Sequence, residues 1–179
     1  EVAAAEVERI ESILQGYLTM ARPLDDLRHE RVSARALVEH VAVALDGRDV
    51  AIRWEAPDED VVVDRRRLTE ALLTLALNAI AATPSGGEVT LVAEVDGRLR
   101  LTVRDDGAGM SPELLARATT AYVTTKKGGT GLGLTLARTA ARQHGGELHL
   151  DSCEGGGTTA TLDLPRYPGS PDGDDPGRR

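Results

Sequence analysis

The chain has 179 residues, a hydrophobic share of 41% and a formal net charge of −8. That length and apolar content suit one domain with its own core plus an appendage and exclude a disordered chain. The acidic balance argues against binding through nucleic-acid phosphates, so no nucleic acid is expected as a partner. A single cysteine, Cys153, permits no internal disulfide and fits a cytoplasmic location. There is no Phe and only one Trp, so Leu, Val, Ile and Ala must fill the interior. The longest nearly apolar stretch, residues 71–82, is too short to cross a bilayer. The sequence opens on Glu1 rather than Met. A longer parent protein is therefore expected, and any membrane anchor would lie in upstream segments.

Residues 1–22 read as a helix, because Ala3, Val7, Ile10, Leu14, Tyr17 and Ala21 alternate four and three apart, the seam of paired helices. Pro23 stops it, and residues 24–32 are polar enough to be a linker. Ser33 is the N-cap candidate for a helix to Leu45 with Ala36, Leu37, Val41, Ala44 and Leu45 inward. Strands are expected over 50–55 and 61–63, and a strong helix over 64–83 with Leu68, Leu72, Leu75 and Ala79 on one face. Period-two segments 88–95 and 98–104 flank Asp96-Gly97, a hairpin signal. Ser111-Pro112-Glu113 opens a short helix, and residues 118–130 have no clean period. A helix from about Gly131 to His144 closes on Gly145-Gly146. A last hairpin pairs 147–152 with 158–164, and the Pro-, Gly- and Asp-rich tail is expected to be disordered. The order implies an α+β fold, a two-layer α/β sandwich whose mixed sheet is covered on one face by helices.

Three segments carry chemistry. Asp105-Asp106-Gly107-Ala108-Gly109-Met110 follows a strand directly. A carboxylate at a strand end can accept a hydrogen bond from an exocyclic amine, and the glycines let a flat ring approach the backbone; an ordinary Asp/Gly turn is the other reading. Gly128-Gly129-Thr130-Gly131-Leu132-Gly133-Leu134 leads into a helix. Its amides and the helix N-terminus suit an anion, although the segment fits neither the Walker A nor the dinucleotide pattern. Read alone, it is equally a flexible loop. Asn78 sits in the interior of a Leu/Ala-rich helix, a place Asn disfavours. It is either a satisfied core amide or an oxygen ligand for Mg²⁺, which takes few protein oxygens and completes its octahedron with phosphate and water.

The order of these segments carries a resemblance. Asp64 to Leu72 with Leu77-Asn78-Ala79 resembles the N box of histidine kinases, Asp105 to Gly109 their DxGxG box, and Gly129 to Leu134 their GTGLGL box. Ala121-Tyr122-Val123-Thr124-Thr125-Lys126 resembles the lid segment of the TTK subfamily. His144-Gly145-Gly146-Glu147, Gly155-Gly156-Gly157-Thr158-Thr159 and Leu164-Pro165 resemble the closing segments. The family belongs to the ATPase superfamily that also holds gyrase, the MutL repair protein and a heat-shock chaperone.

The resemblance implies a Bergerat-type fold and assigns roles by position. Asp105 would bind the adenine amine, with Gly107 and Gly109 lining the base pocket and Thr158 closing its side. Asn78 would hold Mg²⁺, the stretch Gly129, Thr130, Gly131, Leu132 and Gly133 would embrace the phosphates of ATP, and Lys126 would reach a phosphate oxygen. A solvated loop lysine is the other reading of Lys126. The resemblance also implies a domain division: 1–23, the second helix of a dimerisation and phosphotransfer hairpin; 24–32, a linker; 33–165, the ATP-binding catalytic domain; and 166–179, a tail. The phospho-accepting histidine is absent, His29-Glu30 matching that box only superficially, and His40, His144 and His149 read as surface or packing residues. The function implied is transfer of the ATP γ-phosphate to a histidine on the chain's own hairpin, in a homodimer, for relay to a response regulator. Thr74 and Ala81 depart from the pattern and keep open a nucleotide-sensing module of the same fold that transfers nothing.

Overall fold

The computed structural model describes residues 27–124 and 129–168. The helix expected over 1–22, residues 24–26 of the stretch read as linker, Lys126 and the tail beyond residue 168 lie outside the described residues. The elements run β1 (Glu30–Ser33), α1 (Ala34–Ala44), β2 (Ala51–Glu55), β3 (Asp60–Val63), α2 (Arg65–Ile80), β4 (Glu88–Val95), β5 (Arg98–Asp105), α3 (Pro112–Leu115), α4 (Gly133–Gln143), β6 (Glu147–Ser152) and β7 (Thr158–Pro165). Five strands form one mixed sheet in the order β2-β4-β5-β7-β6, while β1 and β3 form a separate antiparallel pair. Only β2 and β4 run parallel within the large sheet.

Period-two alternation sets which face is buried. Val89, Leu91 and Ala93 of β4, Leu99, Leu101 and Val103 of β5, and Ala160, Leu162 and Leu164 of β7 point to one side. The register keeps them aligned across the sheet, with Leu91 opposite Val103 and Val103 opposite Ala160. Leu37 and Val41 of α1, Leu68, Leu72 and Leu75 of α2, and Ala137 and Ala141 of α4 complete this core. Each large side chain so buried contributes about 1.5–3 kcal/mol. The other face carries polar residues such as Thr102 and Thr161, whose hydroxyls lie 3.1 Å apart. The expected two-layer α+β sandwich is thus the fold observed.

Several local expectations shift. The inward stripe of α1 is Ala34, Leu37, Val38, Val41 and Ala42, with Ala44 exposed and Ala36 only half-buried. Ser33 stands at the N-cap, but its hydroxyl donates to Asp58 at 2.8 Å instead of capping the helix. Glu30 to Val32, read as linker, pair with β3. The chain also stays packed past Pro165: Tyr167 is buried, and the Arg166 carbonyl accepts from the Val62 N–H at 3.0 Å.

Helices α2 and α4 lie antiparallel, with Gly133 against Asn78 at one end and His144 against Asp64 at the other. Asp64 caps α2, accepting the Arg67 N–H at 3.0 Å and, on its second oxygen, the Arg28 N–H at 3.1 Å. The Arg67 guanidinium lies 3.6 Å from that carboxylate and donates to Gln143 at 2.6 Å. His144 is a packing residue, as expected, but one with a defined hydrogen-bonding role. Its Nε2 accepts the Asp64 N–H at 3.0 Å and its Nδ1 lies 2.7 Å from the Ala140 carbonyl, so Nδ1 carries the proton of a neutral ring.

Candidate functional site

The alternation that buries Leu99, Leu101 and Val103 continues one step to Asp105, which is 6% exposed at the end of β5. Its carboxylate therefore emerges on the helix-covered side. Oδ1 accepts two backbone amides, from Gly107 at 2.9 Å and Thr158 at 3.2 Å, and these fix the orientation of the carboxylate. Thr158 stands directly opposite Asp105 in the register, and Ser152 opposite Thr158. The last rank of the sheet is thus polar where the ranks behind it are apolar.

Backbone shape brings the loops together around this rank. Gly157 has φ +76°, and a Cβ there would collide with the Asp105 carbonyl. Gly109 has φ +65°, and a Cβ there would strike the Cys153 carbonyl. Both positions demand a residue without a side chain on two counts. The Gly155 N–H donates to the Ala108 carbonyl at 2.8 Å, and the Ala108 N–H to the Ala82 carbonyl at 3.1 Å. The 105–110 loop is held on one side by the β6–β7 hairpin and on the other by the chain following α2.

The glycine-rich stretch Gly129 to Gly133 faces it across the cleft. The N-cap of α4 is Leu132, whose side chain has no hydrogen-bonding group with which to cap the first amides of the helix. The Gly131 carbonyl accepts from the Tyr122 N–H at 3.0 Å. The stretch before Tyr122 is anchored by α4, where the Thr135 hydroxyl donates to the Thr119 carbonyl at 3.1 Å and Arg138 to the Thr119 hydroxyl at 2.9 Å. Gly133 lies so close to α2 that an added Cβ would stand 2.9 Å from the Asn78 amide nitrogen and 3.0 Å from the Thr74 methyl. Thr74 and Asn78, four residues apart, share the face of α2 turned to this loop. The Thr74 hydroxyl donates to the Glu70 carbonyl at 2.7 Å, so its proton is committed within the helix.

A cleft of about 610 Å³ joins these parts. Its lining includes Asn78, Asp105, Gly109, Thr158 and the stretch Gly129 to Gly133. Gly107 does not line it: the residue is buried, with the position of a Cβ 2.5 Å from the Ala82 carbonyl. Val103, Leu150 and Ala160 give the cleft an apolar floor suited to a planar ring, and Asp105 is the only ionisable residue among the described lining. Among the described residues no three His, Cys, Asp or Glu side chains converge on a metal-sized site. A cation that brings most of its own ligands, as Mg²⁺ bound to a nucleotide does, needs few protein oxygens, and the Asn78 amide in the cleft lining is chemically able to supply one.

Ser152, whose hydroxyl meets the Thr158 hydroxyl and the Met110 N–H of the cleft lining, is a residue that the sequence reading missed. A signal for it exists: Leu148, Leu150 and Ser152 alternate along β6, so the serine is the polar end of an inward-facing row.

With this geometry in view, the chain's kinship is plain. The family model described as Histidine kinase-, DNA gyrase B-, and HSP90-like ATPase matches residues 63–168. The sensor histidine kinase ZraS of Escherichia coli (strain K12) is 34% identical over 172 residues, covering 92% of this chain and 37% of ZraS. The histidine protein kinase DivJ of Caulobacter vibrioides is 39% identical over 143 residues, covering 75% of this chain and 24% of DivJ. Among solved structures, full-length ShkA in complex with AMPPNP superposes with a TM-score of 0.75 at 30% identity, covering 86% of this chain and 35% of that one. The mycobacterial sensor histidine kinase MprB gives 0.69 at 26% identity, covering 79% and 99%. The chain belongs to this ATPase family and, within it, to the histidine kinase ATP-binding domains. It spans little more than a third of ZraS. Among the described residues no helix is long and apolar enough to cross a membrane.

Proposed function

We propose that this chain binds Mg-ATP in the described cleft and presents the γ-phosphate to a histidine on a dimerisation hairpin of the parent homodimer, for relay to a response regulator. The observation that carries the reading is the placement of Asp105. A buried carboxylate, held by two amides at a strand end, shares one apolar-floored cleft with an uncapped glycine-rich helix start. Asp105 would take the adenine amine, Gly109 and Thr158 would border the base, and the amides of Gly129 to Gly133 would hold the phosphates. Lys126 would reach a phosphate oxygen as in the TTK subfamily. When bound, Mg²⁺ would neutralise phosphate charge, with Asn78 as its protein ligand. The chain's own part in the reaction is positioning and charge stabilisation. The domain would work on the cytoplasmic side, with any membrane anchor in upstream segments.

Calorimetric titration with Mg-ATP tests this directly. Asp105→Asn should weaken binding about tenfold or more, the worth of one lost charge-assisted hydrogen bond in a buried site. Equal binding by both proteins would overturn the adenine-pocket assignment.

A second reading, a nucleotide sensor that transfers nothing, is favoured by the Thr74 hydroxyl, which is turned into its own helix, and by Ala81, the C-cap of α2, which departs from the pattern that the chain resembles. Incubation with γ-labelled ATP and a histidine-bearing hairpin supplied in trans separates the two. Label on the hairpin histidine supports the kinase; tight binding with no label supports the sensor.

A further inference from the structure

The Ser152 hydroxyl has three partners, which is its full capacity of one donated and two accepted hydrogen bonds. Its proton can only go to the Gly157 carbonyl, 2.8 Å away, because a carbonyl cannot donate. The Met110 N–H, at 2.9 Å, can only donate to it. The third partner is the Thr158 hydroxyl, also at 2.9 Å. With the serine proton already committed, the bond between the two hydroxyls has one direction: Thr158 donates and Ser152 accepts. The Thr158 oxygen then turns lone pairs, and no proton, toward the cleft that it lines. Beside it, across the register pair, stands the Asp105 carboxylate, also an acceptor.

We infer that Ser152 is a specificity-determining positioning residue: by drawing the Thr158 proton out of the cleft, it leaves the Thr158 and Asp105 oxygens as acceptors toward the 6-substituent of the base and selects a purine with a 6-amine over one with a 6-carbonyl. This inference rests on the nucleotide-binding reading above and adds to it the origin of the choice of base. Ser152 need not touch the ligand. It sets the polarity of a residue that does, and it ties the loop following Gly109 to the turn before β7.

The test is binding of Mg-ATP and Mg-ITP, the latter carrying a 6-carbonyl in place of the 6-amine, to wild type and two variants. Ser152→Ala frees the Thr158 proton to point into the cleft. The ATP-to-ITP affinity ratio should fall about three- to tenfold, the worth of one neutral hydrogen bond changing sense. A loosened site would instead weaken both nucleotides alike and leave the ratio unchanged, which overturns the inference. Thr158→Val supplies a sign that does not depend on Ser152→Ala folding. If the hydroxyl is an acceptor toward the ligand, its loss lowers the ratio. A ratio that rises or holds means that Thr158 does not accept from the 6-amine, and the inference is wrong. Wild type that binds neither nucleotide overturns the nucleotide reading itself, and this inference with it. Wild type that binds ATP while the variants keep its discrimination removes only the role of Ser152.

Discussion

The two ends of the antiparallel pair α2 and α4 are built on opposite principles. At the Asp64–His144 end, polar groups are buried and matched: Asp64 and Arg67 are each 4% exposed and His144 8%. At the Asn78–Gly133 end, side chains are small, the first amides of α4 have no side-chain cap, and a cleft opens. The difference shows how one helix pair can be rigid and receptive at once. Burying charges is costly unless every partner is present, so the matched end fixes the relative position of the helices. The glycine end leaves its amides for something that arrives later.

That contrast fails if substitutions at the two ends give the same phenotype. The largest effect is expected at the closed end, where Arg67→Ala strips a buried carboxylate of its guanidinium. Unfolding free energy should drop by about 3–5 kcal/mol in denaturant titration, while the ATP affinity of the protein that remains folded changes less than about threefold. A loss below about 1 kcal/mol would show that the network stabilises little.

The open end should respond the other way round. In Gly133→Ala the new methyl meets the side-chain ends of Asn78 and Thr74 on α2, so these side chains must shift where the nucleotide is expected. ATP affinity should fall about tenfold, near 1.4 kcal/mol, with unfolding free energy unchanged to within about 1 kcal/mol. Unchanged affinity together with lost stability would make this a packing contact only.

A smaller effect sharpens the comparison through pH. Burial pushes the His144 imidazole below its usual value, against the pull of the Ala140 carbonyl. Although burial itself pushes the other way, the Arg67 and Arg28 amides and the Arg67 guanidinium hold the Asp64 carboxyl below its ordinary value. In both cases the unfolded chain binds protons more readily than the folded one. Stability is therefore present at neutral pH and is lost as pH falls, beginning near the free histidine value of about 6.5 and, for Asp64, below about 3.9. Denaturation midpoints measured from pH 7.5 to 5 should decline in wild type and decline less in His144→Gln, whose neutral amide can still accept the Asp64 N–H. Parallel profiles would locate the acid sensitivity elsewhere.

Much of the site was legible in the chain because it depends on local period. Alternation along β5 carries Asp105 to the buried face, and the Leu68, Leu72, Leu75, Ala79 stripe fixes the phase of α2 and so of Thr74 and Asn78. Pro112 after Ser111 marks the start of α3, where the serine does accept the Leu114 N–H. The α1 stripe was misjudged: α2, β4 and β2 pack along the helix, and Ala34, Val38 and Ala42 face them in place of Ala36 and Ala44. The linker and tail boundaries failed for a related reason. Composition marks residues 30–32 and 166–168 as polar or loop-like, yet pairing with β3, which composition does not report, orders both.

What the sequence determined by itself is every described element but β1, the buried face of α2 and of the alternating strands, and the glycine-bearing segments between them, since these follow from repeats of 2 and 3.6 residues and from where a side chain is forbidden. The tertiary structure alone decided the proton directions at Ser152 and Thr158 and the role of His144 beneath Asp64. Those depend on which polar atoms meet across strand register or across 80 positions of chain, and a hydrogen bond has no sense until both of its partners are in place.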